Sequence, residues 1–395
     1  MNNRTRKLRS VLADNEIDAM FVAQPDNRYY LSGFNGSAGY LVINDKKAVL
    51  ATDFRYVEQA LSQASDYEIL RIANSISDWL PGLLKDMGIK RLGFEAEAVT
   101  FDMHKKIQNA LLPGTSGDTV FSRKPIIKPG IRPGGSKVEI NLKNAGVMEN
   151  GQAGIELIPV SGIVEKLREI KDPEEIILIK KAVDIADIAY EKVANIIEAG
   201  MTEKQVAWEM EKALRENGSE AIPFEIIVAS GPNAALPHAQ PTERVIQDAD
   251  AIVIDMGAKY GRYVSDLSRT ICIGTPDDIF KKVYGTVLDA QRAAMSIIKE
   301  GTSGHEADNA ARQVIVKAGY SEAFGHALGH GVGLAAHELP RLGQGAKEQL
   351  TAGMVFTVEP GIYLTGWGGV RIEDTVMLVD GQAEAITKAG KVIYD

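Results

Sequence analysis

Two apolar segments of this chain each carry a carboxylate where a β-strand would bury it, and this restricts the fold more than any bulk property does. Ala251-Ile-Val-Ile-Asp255 reads as a buried strand ending in an acid, and Tyr263-Val-Ser-Asp266-Leu-Ser-Arg-Thr270 as the next strand, carrying another. Between them, Lys259-Tyr260-Gly261-Arg262 has the composition of a tight turn. With Tyr260-Gly261 as a two-residue loop, Asp255 faces Asp266. Side chains directly opposite on one sheet face stand ~4.5–5.5 Å apart, where like charges repel. Flanked by Ile252, Val253, Ile254 and Leu267, such a pair requires a cation or a shared proton.

A second pair follows. Met354-Val-Phe-Thr-Val-Glu359 is an apolar strand ending in a carboxylate before Pro360-Gly361, and Gly369 to Val376 is a further strand with Arg371 and Glu373 on one face. Glu359 and Glu373 are symmetric about Gly366, so they too are expected to face each other, although Pro360 should end the first strand early. Histidine is the third element. Of six histidines, His326, His330 and His337 fall in one glycine-punctuated segment, Gly325 to Glu338. Leu334 stands where a dinucleotide loop needs its last glycine, and no Gly-Lys-Ser/Thr follows, so this is no phosphate cradle. Oxygen-rich ligation with one or two imidazoles suits Mn²⁺, Co²⁺, Fe²⁺ or Zn²⁺. Four carboxylates exceed the needs of one ion, which points to two metals and to hydrolysis as their use.

The remainder of the chain is ordinary. Its 395 residues carry 44 Lys+Arg against 53 Asp+Glu, a net charge of −9 that argues against nucleic acid as a partner. The one cysteine, Cys272, cannot form an internal disulfide and is read as a packing residue. With no apolar run long enough for a membrane span and no signal-peptide core near the N-terminus, the expected location is cytoplasmic. Three regions are expected: an α/β domain over residues 1–125, a Pro/Gly-rich linker or insertion over 126–157, and an α+β domain over 158–395, with long helices laid over a curved antiparallel sheet. Predicted helices include Arg4 to Asn15, Asp78 to Met87, a long one capped by Asp172-Pro173, and another from Thr202 to Glu216. Trp79 and Trp208 are both expected in the core. His104 and His305 receive no role.

The residues together resemble the pita-bread metallopeptidases, the M24 family of methionine aminopeptidase, Xaa-Pro aminopeptidase and prolidase. Asp255, Asp266, His330, Glu359 and Glu373 match its five metal ligands in order. The segments ending at His238, spanning His330 to His337, and reading Thr-Val-Glu359-Pro-Gly-Ile-Tyr363 resemble its proline-specific branch. The N-terminal Tyr30 to Ser37 and Thr52 to Ala60 are similar to the creatinase/prolidase N-terminal domain, and Phe34-Asn-Gly-Ser37 looks closer to aminopeptidase P-like members. The stretch from Pro113 to Glu156 is longer than the family's usual connector.

This resemblance implies two divalent metal ions, Mn²⁺ first, with Co²⁺, Zn²⁺ or Fe²⁺ as alternatives. Asp255 would chelate one, Asp266 and Glu373 would bridge, and His330 and Glu359 would hold the other. A metal-activated hydroxide would attack the carbonyl preceding proline, with Glu359 assisting its deprotonation. His337 and His238 would stabilise the intermediate and orient substrate, His326 would shape the proline pocket, and Arg371 would fix Glu373 and bind nearby oxygens. The expected substrates are peptides with proline at the second position, and the expected state is a homodimer. The first reading is an Xaa-Pro aminopeptidase and the second an Xaa-Pro dipeptidase. A lyase, or a binding protein on the same fold, ranks lower.

Overall fold

The computed structural model describes residues 3–111 and 154–391. The chain divides into two compact units, Met1–Leu167 and Arg168–Asp395. In the first unit, elements follow in the order α1 (Asn3–Asp14), β1 (Ala19–Val22), α2 (Pro25–Ser32), β2 (Tyr40–Asn44), β3 (Ala48–Thr52), α3 (Val57–Gln63), β4 (Glu68–Arg71), α4 (Ile76–Met87), β5 (Arg91–Glu95), α5 (Phe101–Leu111) and β6 (Glu156–Val160). They build one six-stranded sheet of order β4-β3-β2-β1-β5-β6, parallel at β1/β5, β3/β4 and β5/β6. The predicted alternation of helix and strand holds, and Trp79 is buried against Leu80, Leu84 and Phe94. Most of the stretch predicted as a linker lies outside the described residues. Its end does not: Glu156 to Val160 pairs with β5, so the boundary expected at Ile158 falls inside a strand of this unit.

In the second unit, after α6 (Ile163–Arg168), come α7 (Pro173–Ala194), α8 (Glu203–Glu216), β7 (Ile227–Ser230), β8 (Ala251–Met256), β9 (Lys259–Tyr260), β10 (Tyr263–Val264), β11 (Leu267–Cys272), α9 (Asp278–Ile297) and α10 (Gly304–Lys317). The tail is all strand: β12 (Gly329–Gly331), β13 (Glu338–Leu342), β14 (Val355–Val358), β15 (Gly361–Leu364), β16 (Gly368–Arg371), β17 (Asp374–Val379) and β18 (Gln382–Ala385). Every strand pair in this unit is antiparallel. The helix starts are written into the sequence. Asp172 and Thr202 form capping boxes with Glu175 and Gln205, satisfying amide groups that a helix leaves open.

Each helix pair covers its own sheet. Val193 of α7 and Met210 and Leu214 of α8 pack on Ile252, Ile254 and Leu267, burying the three-stranded β11-β8-β7 sheet. Val283 and Val287 of α9, with Ala311 and Ile315 of α10, pack on Phe356, Val358 and Val376 of the five-stranded β13-β12-β14-β17-β18 sheet. The sheet faces turned away from these helices are where the acids collect. Trp208 departs from expectation: it lies on the outer face of α8 and is 63% exposed, because α8 spends its apolar stripe on Val206, Met210, Ala213 and Leu214. Among the described residues no helix is long and apolar enough to cross a membrane.

Candidate metal centre

The first strand pair shows how Asp255 and Asp266 come together, and the register differs from the sequence expectation. The turn is Gly261-Arg262, flanked by paired Tyr260 and Tyr263, with φ of +54° and +72° at its two central residues. A two-residue hairpin of this kind needs positive φ at both, and the Glu220 carboxylate holds it by accepting from the amides of Gly261 (3.0 Å) and Arg262 (3.3 Å). Asp255 therefore pairs with Ser268 rather than with Asp266. Moving the turn by one residue moves the register by two, and side chains alternate with period two, so Asp266 stays on the same face, diagonal to Asp255.

The second pair keeps the predicted register. β15/β16 and β14/β17 are one hairpin about Gly366, with Gly361 opposite Arg371 and Val358 opposite Asp374. Glu359 and Glu373 occupy the break between those ladders. Glu359 sends its amide to the Leu328 carbonyl (2.8 Å) and Glu373 sends its own to Ser268 (3.0 Å). Pro360, with no amide proton, cannot continue the ladder. The hairpin thus opens at the two acids, and Glu373 is stitched onto β11.

These bonds gather the side chains. One oxygen from each of Asp255, Asp266 and Glu373 lies within 4.8 Å of the others. His330 Nε2 stands 3.2 Å from Glu359 Oε1 and 3.7 Å from Asp266 Oδ2. Its Nδ1 donates to the Gly331 carbonyl (3.1 Å), which turns Nε2 toward the acids. Thr357 donates to Glu359 Oε1 (3.0 Å). Ser268, not singled out from sequence, gives its hydroxyl to Glu373 Oε2 (2.7 Å) and accepts from Arg371 Nε (2.8 Å). Arg371 is buried and donates also to Asp255 Oδ2 (2.6 Å), Tyr363 (2.9 Å) and the Pro237 carbonyl (3.2 Å). The guanidinium reaches Glu373 through Ser268 and grips Asp255 directly.

The electrostatics are those of a crowded negative site. Burial, then the charges of Glu373, Asp255 and Glu359, push the Asp266 carboxyl far above the usual range. Glu373 is raised likewise, by burial and then by Glu359 and Asp255. Asp255 is raised by burial, with Arg371 opposing. For Glu359 burial is outweighed by the hydrogen bond and charge of His330, which hold it below its ordinary value. His330 is raised to about 9: burial works against its charge, but Glu359 prevails. Among the described residues, Asp255 Oδ1 is buried with no hydrogen-bond partner. Three converging carboxylates, a histidine nitrogen aimed at them and an orphaned carboxylate oxygen fit divalent cations well.

The remaining histidines surround this cluster. His337 has its ring centroid 4.0 Å from that of His330, and burial lowers its pKa, with His330 adding. Burial also lowers the pKa of His326. Its Nδ1 donates to the Ala327 carbonyl (2.7 Å), so Nε2 accepts from the Tyr363 hydroxyl (3.0 Å), which itself accepts from Arg371. The sequence marks Tyr363 only as part of a motif, yet its place is visible in the alternation Gly361-Ile-Tyr363 along β15. His238 is exposed, on the loop whose Pro237 carbonyl meets Arg371, and its charge acts on both His326 and His337. His104 packs against Phe94 with the rings tilted, and His305 is exposed. Cys272 is half-buried against the α9/α10 core, its thiol pushed up to about 11 by burial and by Asp277, Asp248 and Asp250.

Residues 177–380 match metallopeptidase family M24, and residues 4–128 match the Creatinase/Prolidase N-terminal domain. The chain is 34% identical to an Xaa-Pro dipeptidase of Pyrococcus furiosus over 98% of both chains. Its structure is similar to that of an Xaa-Pro dipeptidase from Bacillus anthracis, with a TM-score of 0.86 and 39% identity over 99% of this chain and 98% of that one. It is also similar to an X-Pro aminopeptidase from Thermotoga maritima, with a TM-score of 0.81 and 33% identity over 99% of each.

Proposed function

Because the chain belongs to metallopeptidase family M24 and is a peptidase, we propose that it hydrolyses the peptide bond preceding proline, and that its first substrates are Xaa-Pro dipeptides. The observation that carries this reading is the buried convergence of Asp255, Asp266 and Glu373, with His330 and Glu359 alongside. Those five residues would hold two divalent cations, Mn²⁺ first. Such ions, when bound, polarise the scissile carbonyl and lower the pKa of water.

The chain's own groups supply the rest. Glu359 Oε1 is engaged by Thr357 and His330, whereas Oε2 receives no hydrogen bond among the described residues and is the atom that would take the proton of the attacking water. Arg371 neutralises Asp255 and, through Ser268, orients Glu373. His337 and His238 would donate to the carbonyl oxygen as charge develops there, a role suited to imidazoles beside a desolvated site. His326, held by Ala327 and Tyr363, would line the proline pocket.

The names of the Pyrococcus and Bacillus relatives support the dipeptidase reading. An aminopeptidase is the second reading, supported by the Thermotoga structure's name and by Phe34-Asn-Gly-Ser37. The deciding experiment gives metal-stripped protein, resupplied with Mn²⁺, equal amounts of an Xaa-Pro dipeptide and an Xaa-Pro-led pentapeptide, with products read by mass spectrometry. Cleavage of the dipeptide alone establishes the first reading; release of Xaa from the pentapeptide establishes the second. If neither is cut, the proline-specific proposal is wrong.

A further inference from the structure

Glu203 is fully buried, at 0% exposure, and none of the roles above uses it. It opens α8, where the positive end of the helix favours a negative charge. Every group facing its carboxylate is a donor. Oε1 accepts from the Ser230 amide (2.7 Å), the Ser230 hydroxyl (2.8 Å) and Asn233 Nδ2 (3.1 Å). Oε2 accepts from the Thr242 amide (3.0 Å), the Thr242 hydroxyl (2.6 Å) and again Asn233 Nδ2 (3.1 Å). The backbone adds to the clamp: the Glu203 amide donates to the Arg244 carbonyl (3.1 Å) and the Lys204 amide to that of Thr242 (3.2 Å). Arg244 completes it, donating to the Ser230 hydroxyl (2.5 Å) and to Asp250.

Ser230 and Thr242 are the two ends of one loop, and Glu203 holds both. Between them lie a 3₁₀ turn, Gly231–Ala235, then Pro237 and His238. The far side of the loop rests on the metal centre. Pro237 receives Arg371, and β16 carries glycine where the turn lies against it, because a Cβ at Gly369 would collide with the Ala234 carbonyl. A loop pinned at its base and pressed onto the strand that carries Arg371 has little freedom left. We infer that Glu203 is the positioning residue for His238, fixing where that imidazole stands by closing the 230–242 loop. This rests on the reading of His238 as a substrate-orienting group. A carboxylate is needed because the two main-chain amides it serves cannot rotate, and the amide end of a glutamine would meet one of them donor to donor.

The test is a double-mutant cycle on full-length, Mn²⁺-loaded protein with an Xaa-Pro dipeptide, using Glu203→Gln, His238→Ala and the pair. Each single change is expected to lower kcat/KM about ten- to a hundredfold, the scale of losing an oriented group. The double variant is expected to be no worse than His238→Ala alone. Mn²⁺ affinity measured calorimetrically on stripped Glu203→Gln should equal wild type, since all five proposed ligands lie on other elements. Multiplying losses in the double variant, or full activity of Glu203→Gln, overturn the inference while leaving the role of His238 standing. Full activity of His238→Ala removes that role, and the inference with it. If Glu203→Gln does not fold by circular dichroism, Thr242→Val, which deletes one hydroxyl bond to Oε2, takes its place in the same cycle.

Discussion

The N-terminal unit carries a carboxylate whose proton can be followed as stability. Glu95 ends β5 and is 5% exposed. Its Oε2 accepts from the amides of Ala23 and Gln24, both at 2.7 Å, and its Oε1 from Asn27 Nδ2 at 2.7 Å. Asn27 Nδ2 also donates to Glu165 at 2.5 Å, which brings a second acid near the first. Burial pushes the Glu95 carboxyl from 4.5 up to about 7; the hydrogen bonds oppose this, and the Glu165 charge adds to it. Between those two values the folded unit keeps a proton that the unfolded chain has released. Stability must therefore fall as pH rises through this window, and stay low above it. At ~1.4 kcal/mol per unit, the gap from 4.5 to about 7 amounts to about 3 kcal/mol. Glu95→Gln should erase that slope. The assay is urea unfolding between pH 4.5 and 8, followed by the fluorescence of buried Trp79 with Trp208 and Trp367 replaced by Phe. Asp53, held at about 2 by its hydrogen bond with Arg55, titrates below the window. A Gln variant with the wild-type slope, or a wild type that gains stability from pH 5 to 7, would refute the reasoning.

Asp266→Asn should abolish Mn²⁺ uptake, measured by calorimetry and elemental analysis, with far-ultraviolet circular dichroism unchanged; retained turnover would sink the proposed ligand set. Ser268→Ala removes the hydroxyl between Arg371 and Glu373 and leaves two buried polar groups unsatisfied, at ~1–3 kcal/mol of stability. Its Mn²⁺ affinity should drop about 10- to 100-fold, and an unchanged isotherm would contradict the bridging role. Gly369→Ala drives a Cβ into the Ala234 carbonyl and should depress kcat/KM and thermal stability together, both measurable on one preparation. Trp208→Ser should shift stability by no more than ~0.5 kcal/mol, whereas Trp79→Ala should cost ~3–5 kcal/mol; equal effects would show that their burial has been misjudged.

Much of the site was legible because acids in apolar strands leave few alternatives. Asp255, Asp266, Glu359 and Glu373 stood out on local pattern, and the symmetry of the last two about Gly366 predicted their register correctly. The first hairpin was read one residue off because its turn depends on Glu220, some forty positions upstream, whose carboxylate stabilises a positive φ at Arg262 that the arginine alone would not suggest. The face of Asp266 survived that error only because strands alternate. Helix α2 carries signals at both ends, Pro25 and the left-handed Gly33, yet its short polar-apolar run shows no clear period. Trp208 was misplaced since spacing alone cannot say which side of an amphipathic helix an aromatic residue takes. Ser268 and Glu203 were invisible for a different reason: a hydroxyl or a carboxylate reveals its function only once its hydrogen-bond partners, distant in sequence, are in place.

The opened hairpin also has a bearing on when such a centre can exist during synthesis. Glu373 is held by Ser268, 105 positions earlier, and its amide is tied to the same residue. A nascent chain that has released only Asp255 and Asp266 from the ribosome holds two acids on a three-stranded sheet, with no Glu359, no Glu373 and no Arg371 to neutralise Asp255. With the proposed ligand set, cation capture would therefore follow the docking of the last strands, because Glu359, Arg371 and Glu373 all lie in the final stretch of the chain to be made.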